Sequence, residues 1–168
     1  SNYINEKIKP GDSLNISMPE GRFLYKKGGV GVSIIAFAAG SGITPVISIL
    51  KTVLEENKLN KFHLIYGNKT PEKTMFYDSI NALKNKYENQ LTVNFIFSQI
   101  NLKNHLNGRI TENIITQIKL DLTKKTLCYI CGPEQMINEC SEVLKKNNVN
   151  SDQVFFELFR SNKENLTQ

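Results

Sequence analysis

The chain has 168 residues, 40% hydrophobic and 22% charged; this fits one globular domain of the usual ~100–200 residues and excludes a disordered, collagen-like or disulfide-dense chain. The net charge of +5 includes lysines spaced in pairs, such as Lys26 and Lys27, Lys84 and Lys86, Lys124 and Lys125, and Lys145 and Lys146. Most stand where helix ends and turns are expected, a solvated-surface pattern, so no nucleic-acid partner is expected.

In chain order, residues 13–18 have the look of a strand and run into a Pro19-Glu-Gly21 turn, as the tail of a preceding unit would. Residues 32–39 form a continuous apolar run, the pattern of a strand buried on both faces of a parallel sheet. Gly40-Ser-Gly42 follows, and a helix begins with Pro45 in its first turn, where a missing N–H costs nothing. Its stripe is Val46, Ile49, Leu50, Val53 and Leu54. Residues 62–66 predict a second strand, and Phe76, Ile80, Leu83 and Tyr87 a second helix. Residues 91–97 predict a third strand, and Ile114, Ile115 and Ile118 a short helix. The fourth strand spans 127–131, and the helix after it carries Met136, Ile137, Cys140, Val143 and Leu144. Residues 154–158 close the series, and the chain turns polar after Phe159. Five strands alternating with helices through short connections predict an α/β fold: a doubly wound, five-stranded parallel sheet. Ligands of such sheets bind beyond the carboxyl ends of the strands, near the point where strand order reverses.

No apolar stretch reaches the ~18 residues that cross a bilayer, since 30–39 is broken by Gly31 and Ser33. The first ten residues are polar and lack the apolar core of a signal peptide. No membrane partner and a cytoplasmic location are therefore expected. Cys128 and Cys131 form a C-x-x-C, but within a strand two residues three apart point to opposite faces. They cannot share a metal or close a disulfide, and no metal site is expected.

Three segments carry chemistry. Gly40-Ser-Gly42-Ile-Thr44-Pro45 joins a strand to a helix; its glycines allow close backbone approach, and the helix N-terminus with the Thr44 hydroxyl offers donors to a phosphate. The turn departs from the usual dinucleotide fingerprint, because Pro45 replaces the third glycine and the second strand ends Tyr66-Gly67-Asn68-Lys69 without a carboxylate for the ribose. Cys131-Gly132-Pro133 builds a second strand-to-helix turn on the same edge, where a small polarizable thiol could face a planar ring. Glu157-Leu-Phe159 ends the last strand.

Together, Gly40-Ser-Gly42-Ile-Thr-Pro45, Tyr66-Gly67-Asn68, Gly108-Arg109-Ile110, Cys131-Gly132-Pro133-x-x-Met136 and Glu157-x-Phe159 resemble the pyridine-nucleotide domain of ferredoxin–NADP reductase-type flavoenzymes. The segments Ile96-Phe-Ser98-Gln99 and Ile130-Cys-Gly-Pro133 are most similar to the branch containing the reductase components of phenylacetyl-CoA epoxidases. The resemblance implies that 30–160 is an NAD(P)H-binding domain, that 1–29 is the end of a flavin-binding barrel with its linker, and that 161–168 leads towards a ferredoxin-like domain. It implies pyrophosphate contacts from Gly40, Gly42, Thr44 and Pro45, and an adenosine path lined by Tyr66, Asn68, Ser98 and Arg109. Cys131, Gly132, Pro133 and Met136 would flank the nicotinamide, with Cys131, Glu157 and Phe159 nearest the hydride.

The implied activity is hydride transfer from NAD(P)H to FAD, then electron transfer to an iron–sulfur centre and an oxygenase partner, in aromatic (phenylacetate) degradation. A reductase of another oxygenase, a flavohaemoglobin-like protein and a non-catalytic nucleotide sensor stay open as alternatives. The sequence has no R-x-Y-S/T flavin motif and only three cysteines, one short of a plant-type [2Fe–2S] ligand set. FAD and the cluster are thus expected only in an intact parent protein. Gln99 stands where many NADP-dependent relatives carry arginine, with Lys69 and Arg109 as other sources of that charge, so NADH and NADPH both stay open.

Overall fold

A computed structural model describes residues 2–18, 20–27, 29–103, 105–122 and 125–158. After a short exposed helix α1 (Asn2–Lys7), the chain alternates β1 (Ser33–Ala39), α2 (Ile43–Glu56), β2 (Lys61–Asn68), α3 (Tyr77–Lys86) and β3 (Leu91–Phe97). It continues through β4 (Leu106–Asn107), α4 (Glu112–Gln117), β5 (Thr126–Gly132), α5 (Glu134–Lys146) and β6 (Val154–Leu158). The six strands form one parallel sheet in the order β4-β3-β2-β1-β5-β6. Order reverses between β1 and β5, which is the switch point.

Strand alternation sorts the core into two layers, because successive side chains point to opposite faces. From β1, Ile34, Ala36 and Ala38 pack with α2 and with Ile80 of α3, whereas Ile35 and Phe37 face α4 and α5. The same rule parts the cysteines of β5: Cys131 lies in the first layer and Cys128 in the second. Register then aligns a row across the strand ends. Tyr66 and Cys131 both stand beside Ala38, and Glu157 stands beside Cys131.

Three expectations are corrected. The sheet has six strands rather than five, because Leu106 and Asn107 pair with Ile96 and Phe97; two residues are too few to show an alternating pattern. Residues 13–18 form no strand: Leu14, Ile16 and Met18 are exposed, and no strand lies beside them among the described residues. β-propensity without a pairing partner does not make a strand. Phe76 lies outside α3, with a left-handed φ of 59° and an exposed ring. Phe159 and the expected linker 161–168 fall outside the described residues.

Residues before β1 still reach the sheet. Phe23 meets Tyr129 edge-on at 5.4 Å, the Tyr129 hydroxyl accepts the Lys26 N–H at 3.0 Å, and Lys26 lies over the Phe155 ring. The approach to β1 is held by Asn60, which is fully buried. Its Oδ1 accepts the Val32 N–H at 3.1 Å and its Nδ2 donates to the Val53 carbonyl at 3.0 Å, tying β1 to the end of α2. Asn60→Leu strands that buried N–H, so urea unfolding should show a loss of ~1–3 kcal/mol; an unchanged midpoint would mean the Asn60 bonds contribute nothing net.

Candidate functional site

β1 leaves the sheet through a single 3-10 turn, Gly40–Gly42, that feeds directly into α2. Gly40 takes a left-handed φ of 52° with open space around its Cα, and its carbonyl accepts the Tyr66 hydroxyl at 2.9 Å. Gly42 is glycine for a different reason. A Cβ there would stand 2.3 Å from the Cys131 carbonyl oxygen and 3.3 Å from its Sγ, so the turn sits directly on the end of β5. The Thr44 hydroxyl is committed inside the turn, donating to the Ser41 carbonyl at 3.0 Å.

α2 begins with no side-chain cap and no acid in its first turn. By contrast, Asp78, Glu112 and Glu134 stand in the first turns of α3, α4 and α5. α3, α4 and α5 also lack a side-chain cap, so α2 differs from them in having no acid at the positive end of its dipole, which favours an anion there.

A cleft of about 680 Å³ opens at this edge of the sheet. Gly40 and Ser41 form its floor at β1; Gly67, Asn68 and Lys69 follow at β2, and Ser98 at β3. Arg109, Ile110 and Thr111 wall it from the segment after β4, where Ile110 lies so close to Gly67 that a Cβ there would be 3.2 Å away. Pro133, Gln135, Met136 and Glu139 close it from α5. The Asn68 amide comes beside the Tyr66 hydroxyl and opposes the upward pKa shift that burial gives that phenol, yet its Nδ2 is buried without a hydrogen bond of good geometry. A buried donor lining a cleft and lacking an acceptor fits a polar ligand. A smaller depression of about 470 Å³ lies between the Pro71–Lys73 turn and the start of α3, away from the glycine turn.

Of the sequence-predicted residues, the fold brings Gly40, Asn68, Ser98, Arg109, Pro133 and Met136 to the cleft. Gly42, Thr44, Pro45, Tyr66, Cys131 and Gly132 are not in its lining; Gly42, Tyr66 and Cys131 lie buried behind it. Glu157 is exposed on β6 beside Cys131, and Phe159 lies outside the described residues. Sequence reasoning passed over Ser41, Lys73, Gln135 and Glu139. For the last two a signal existed: a helix that buries Met136 and Cys140 turns Gln135 and Glu139 towards one neighbouring stripe.

Cys131 is fully buried, and its thiol is pushed up to about 11 by burial and secondarily by the Glu157 carboxylate. The folded chain should therefore resist iodoacetamide at pH 8 and label at this position only as pH approaches 11 or the fold opens. Rapid labelling at pH 8 would contradict the burial. Urea titration should separate the two glycines. Gly42→Ala meets a backbone carbonyl that cannot yield and should cost the upper part of ~1–3 kcal/mol, whereas Gly40→Ala meets only the left-handed penalty of ~1 kcal/mol.

Residues 37–142 match the sequence profile of a family described as oxidoreductase NAD-binding domain. Among curated relatives, the chain is 34% identical to a component of the 1,2-phenylacetyl-CoA epoxidase of Escherichia coli K12, over 96% of this chain and 47% of that protein. It is 29% identical to the flavohemoprotein of Schizosaccharomyces pombe, over 95% of this chain and 38% of that protein. The chain thus spans about half or less of the relatives it matches. A solved structure, the FAD/NAD-binding domain of nitric oxide dioxygenase from Vibrio cholerae, superposes with a TM-score of 0.79 over 95% of this chain and 63% of that one, at 21% identity, and shares its fold.

Proposed function

The chain belongs to the oxidoreductase NAD-binding domain family, and from that premise we propose that it is the NAD(P)H-binding module of a flavin-dependent electron-transfer reductase. In this reading the parent protein carries FAD and a [2Fe–2S] centre and serves an oxygenase, in phenylacetate degradation. The observation that carries the proposal is the cleft at the switch point of the sheet, bordered on its β1 side by the Gly40-Ser41 turn that leads into the acid-free start of α2. Identity of 34% with a component of a phenylacetyl-CoA epoxidase supports the choice of pathway.

The residues present fit a dinucleotide. The Gly40–Gly42 turn and the start of α2 would hold the pyrophosphate, and Asn68 would give its unpaired Nδ2 to a ligand oxygen. A reduced nicotinamide, once bound, supplies the hydride. The protein's part is placement. Tyr66 fixes the Gly40 carbonyl and with it the direction of the turn. Gly132 leaves the wall thin: a Cβ there would stand 2.5 Å from the Met136 methyl and 3.3 Å from Ala39. Cys131 packs behind that end of the cleft as a neutral thiol, which stays protonated well above physiological pH.

In the intact parent protein, Cys131→Ala should slow stopped-flow reduction of the flavin more than it raises the nucleotide dissociation constant. An unchanged rate would remove Cys131 from the transfer step, and failure of the parent to oxidise NADH or NADPH with any dye acceptor would sink the reductase reading.

A further inference from the structure

We infer that Glu139 is a positioning residue of the cleft, and that the group it positions is the Gln135 amide, whose carbonyl oxygen accepts a hydrogen-bond donor of the bound nucleotide. The inference rests on the nucleotide reading of the cleft and adds to it a contact on the α5 wall. Gln135 and Glu139 both line the cleft and stand one helical turn apart on α5. Among the described lining residues, Glu139 is the one carboxylate. An acid works against a polyanionic ligand, so what Glu139 contributes lies in its hydrogen bonds.

Both of its oxygens are engaged. One accepts the Glu112 N–H at 3.1 Å and the other the Gln135 amide at 3.0 Å. The first bond serves α4. Thr111 stands at the N-cap of that helix yet makes no side-chain cap, although threonine commonly caps with its own hydroxyl. A carboxylate from α5 takes a free N–H of the first turn instead, and Lys146, further along α5, pairs with the Glu112 carboxylate. Glu112 is thereby held to α5 by both its backbone and its side chain. Ile110 and Thr111, just before it, belong to the cleft wall.

The second bond sets the chemistry of that wall. An ionised carboxylate only accepts, whereas an amide has a donor side and an acceptor side. Gln135 therefore turns its NH2 to Glu139 and leaves its carbonyl oxygen on the other side, where no donor among the described residues meets it. Because Glu139 is itself held by Glu112, the amide cannot reverse without losing its bond. Gln135 thus offers the ligand an acceptor and not a donor. The start of α2 offers N–H groups to phosphate, so the two walls suit different parts of one ligand.

Glu139→Gln separates the two bonds. Its carbonyl oxygen still accepts the Glu112 N–H, which leaves its NH2 facing Gln135 and makes that amide reverse. The urea midpoint should not move. Calorimetric titration of the 168-residue chain with whichever of NADH and NADPH binds it more tightly should show about three- to tenfold weaker binding, the scale of one hydrogen bond. Loss of a negative charge alone would tighten binding of an anion, so the direction separates reorientation from electrostatics. Gln135→Ala should weaken binding by a similar factor, and the double variant by no more than either change alone. Glu142→Gln, the same charge change on α5 outside the cleft, should not weaken it. Two further ligands locate the donor. A loss shared by AMP assigns it to the adenosine half; a loss missing only from the 3-acetylpyridine analogue assigns it to the carboxamide; a loss missing only from AMP assigns it to the nicotinamide ribose. Unchanged or tighter binding in Glu139→Gln, no effect of Gln135→Ala, or additive losses in the double variant would each overturn the inference while leaving a nucleotide cleft standing. If neither NADH nor NADPH binds the unaltered chain at millimolar concentration, the cleft reading itself falls, and the inference with it.

Discussion

Contact between Gly42 and the backbone of Cys131 is the constraint from which the rest of the site follows. The β1 turn sits so close to the end of β5 that no side chain fits at Gly42, where a Cβ would stand 2.3 Å from the Cys131 carbonyl oxygen. That seat fixes where α2 begins and therefore where its uncapped dipole end points. Tyr66 holds the opposite side of the turn through the Gly40 carbonyl, so the turn is clamped between β5 and β2. Gly42 and Tyr66 hold the turn from behind the cleft, whereas Gly40, Asn68 and Arg109 line it.

This division explains what the sequence disclosed. The apolar runs of β1, β2, β3 and β5 are long and almost wholly buried, so the α/β fold was legible from pattern alone. Short elements escaped, because the two-residue β4 carries too little pattern to register. Residues 13–18 misled for the converse reason: their alternation matches a strand, yet strand formation depends on a neighbour that the described residues do not supply.

The site was legible by neighbourhood rather than by residue. Each glycine motif stands at a strand end that borders the cleft, but motif order does not say which atoms face it. Gly42 and Thr44 were read as phosphate contacts; the one packs on Cys131 and the other bonds its own turn. Ser41 between them reaches the lining. Lys73 carried no signal, since a lysine in a turn is usually a solvated one, and only the fold places it beside Lys69. Burial likewise changes the chemistry of Cys131, a neutral thiol held behind the wall rather than a reactive group on the lip.

In the proposed function, one cleft across the ends of β1, β2 and β3 holds the nucleotide with its phosphates towards the start of α2. Amide chemical-shift mapping of the isotope-labelled chain during titration with NADPH tests it most directly. Shifts should concentrate at Gly40, Ser41, Thr44, Asn68, Lys69, Ser98, Arg109 and Gln135, with the Pro71–Ser79 depression largely unmoved beyond Lys73. Shifts centred on that depression or on the outer face of α3, with the Gly40–Ser41 amides still, would contradict it.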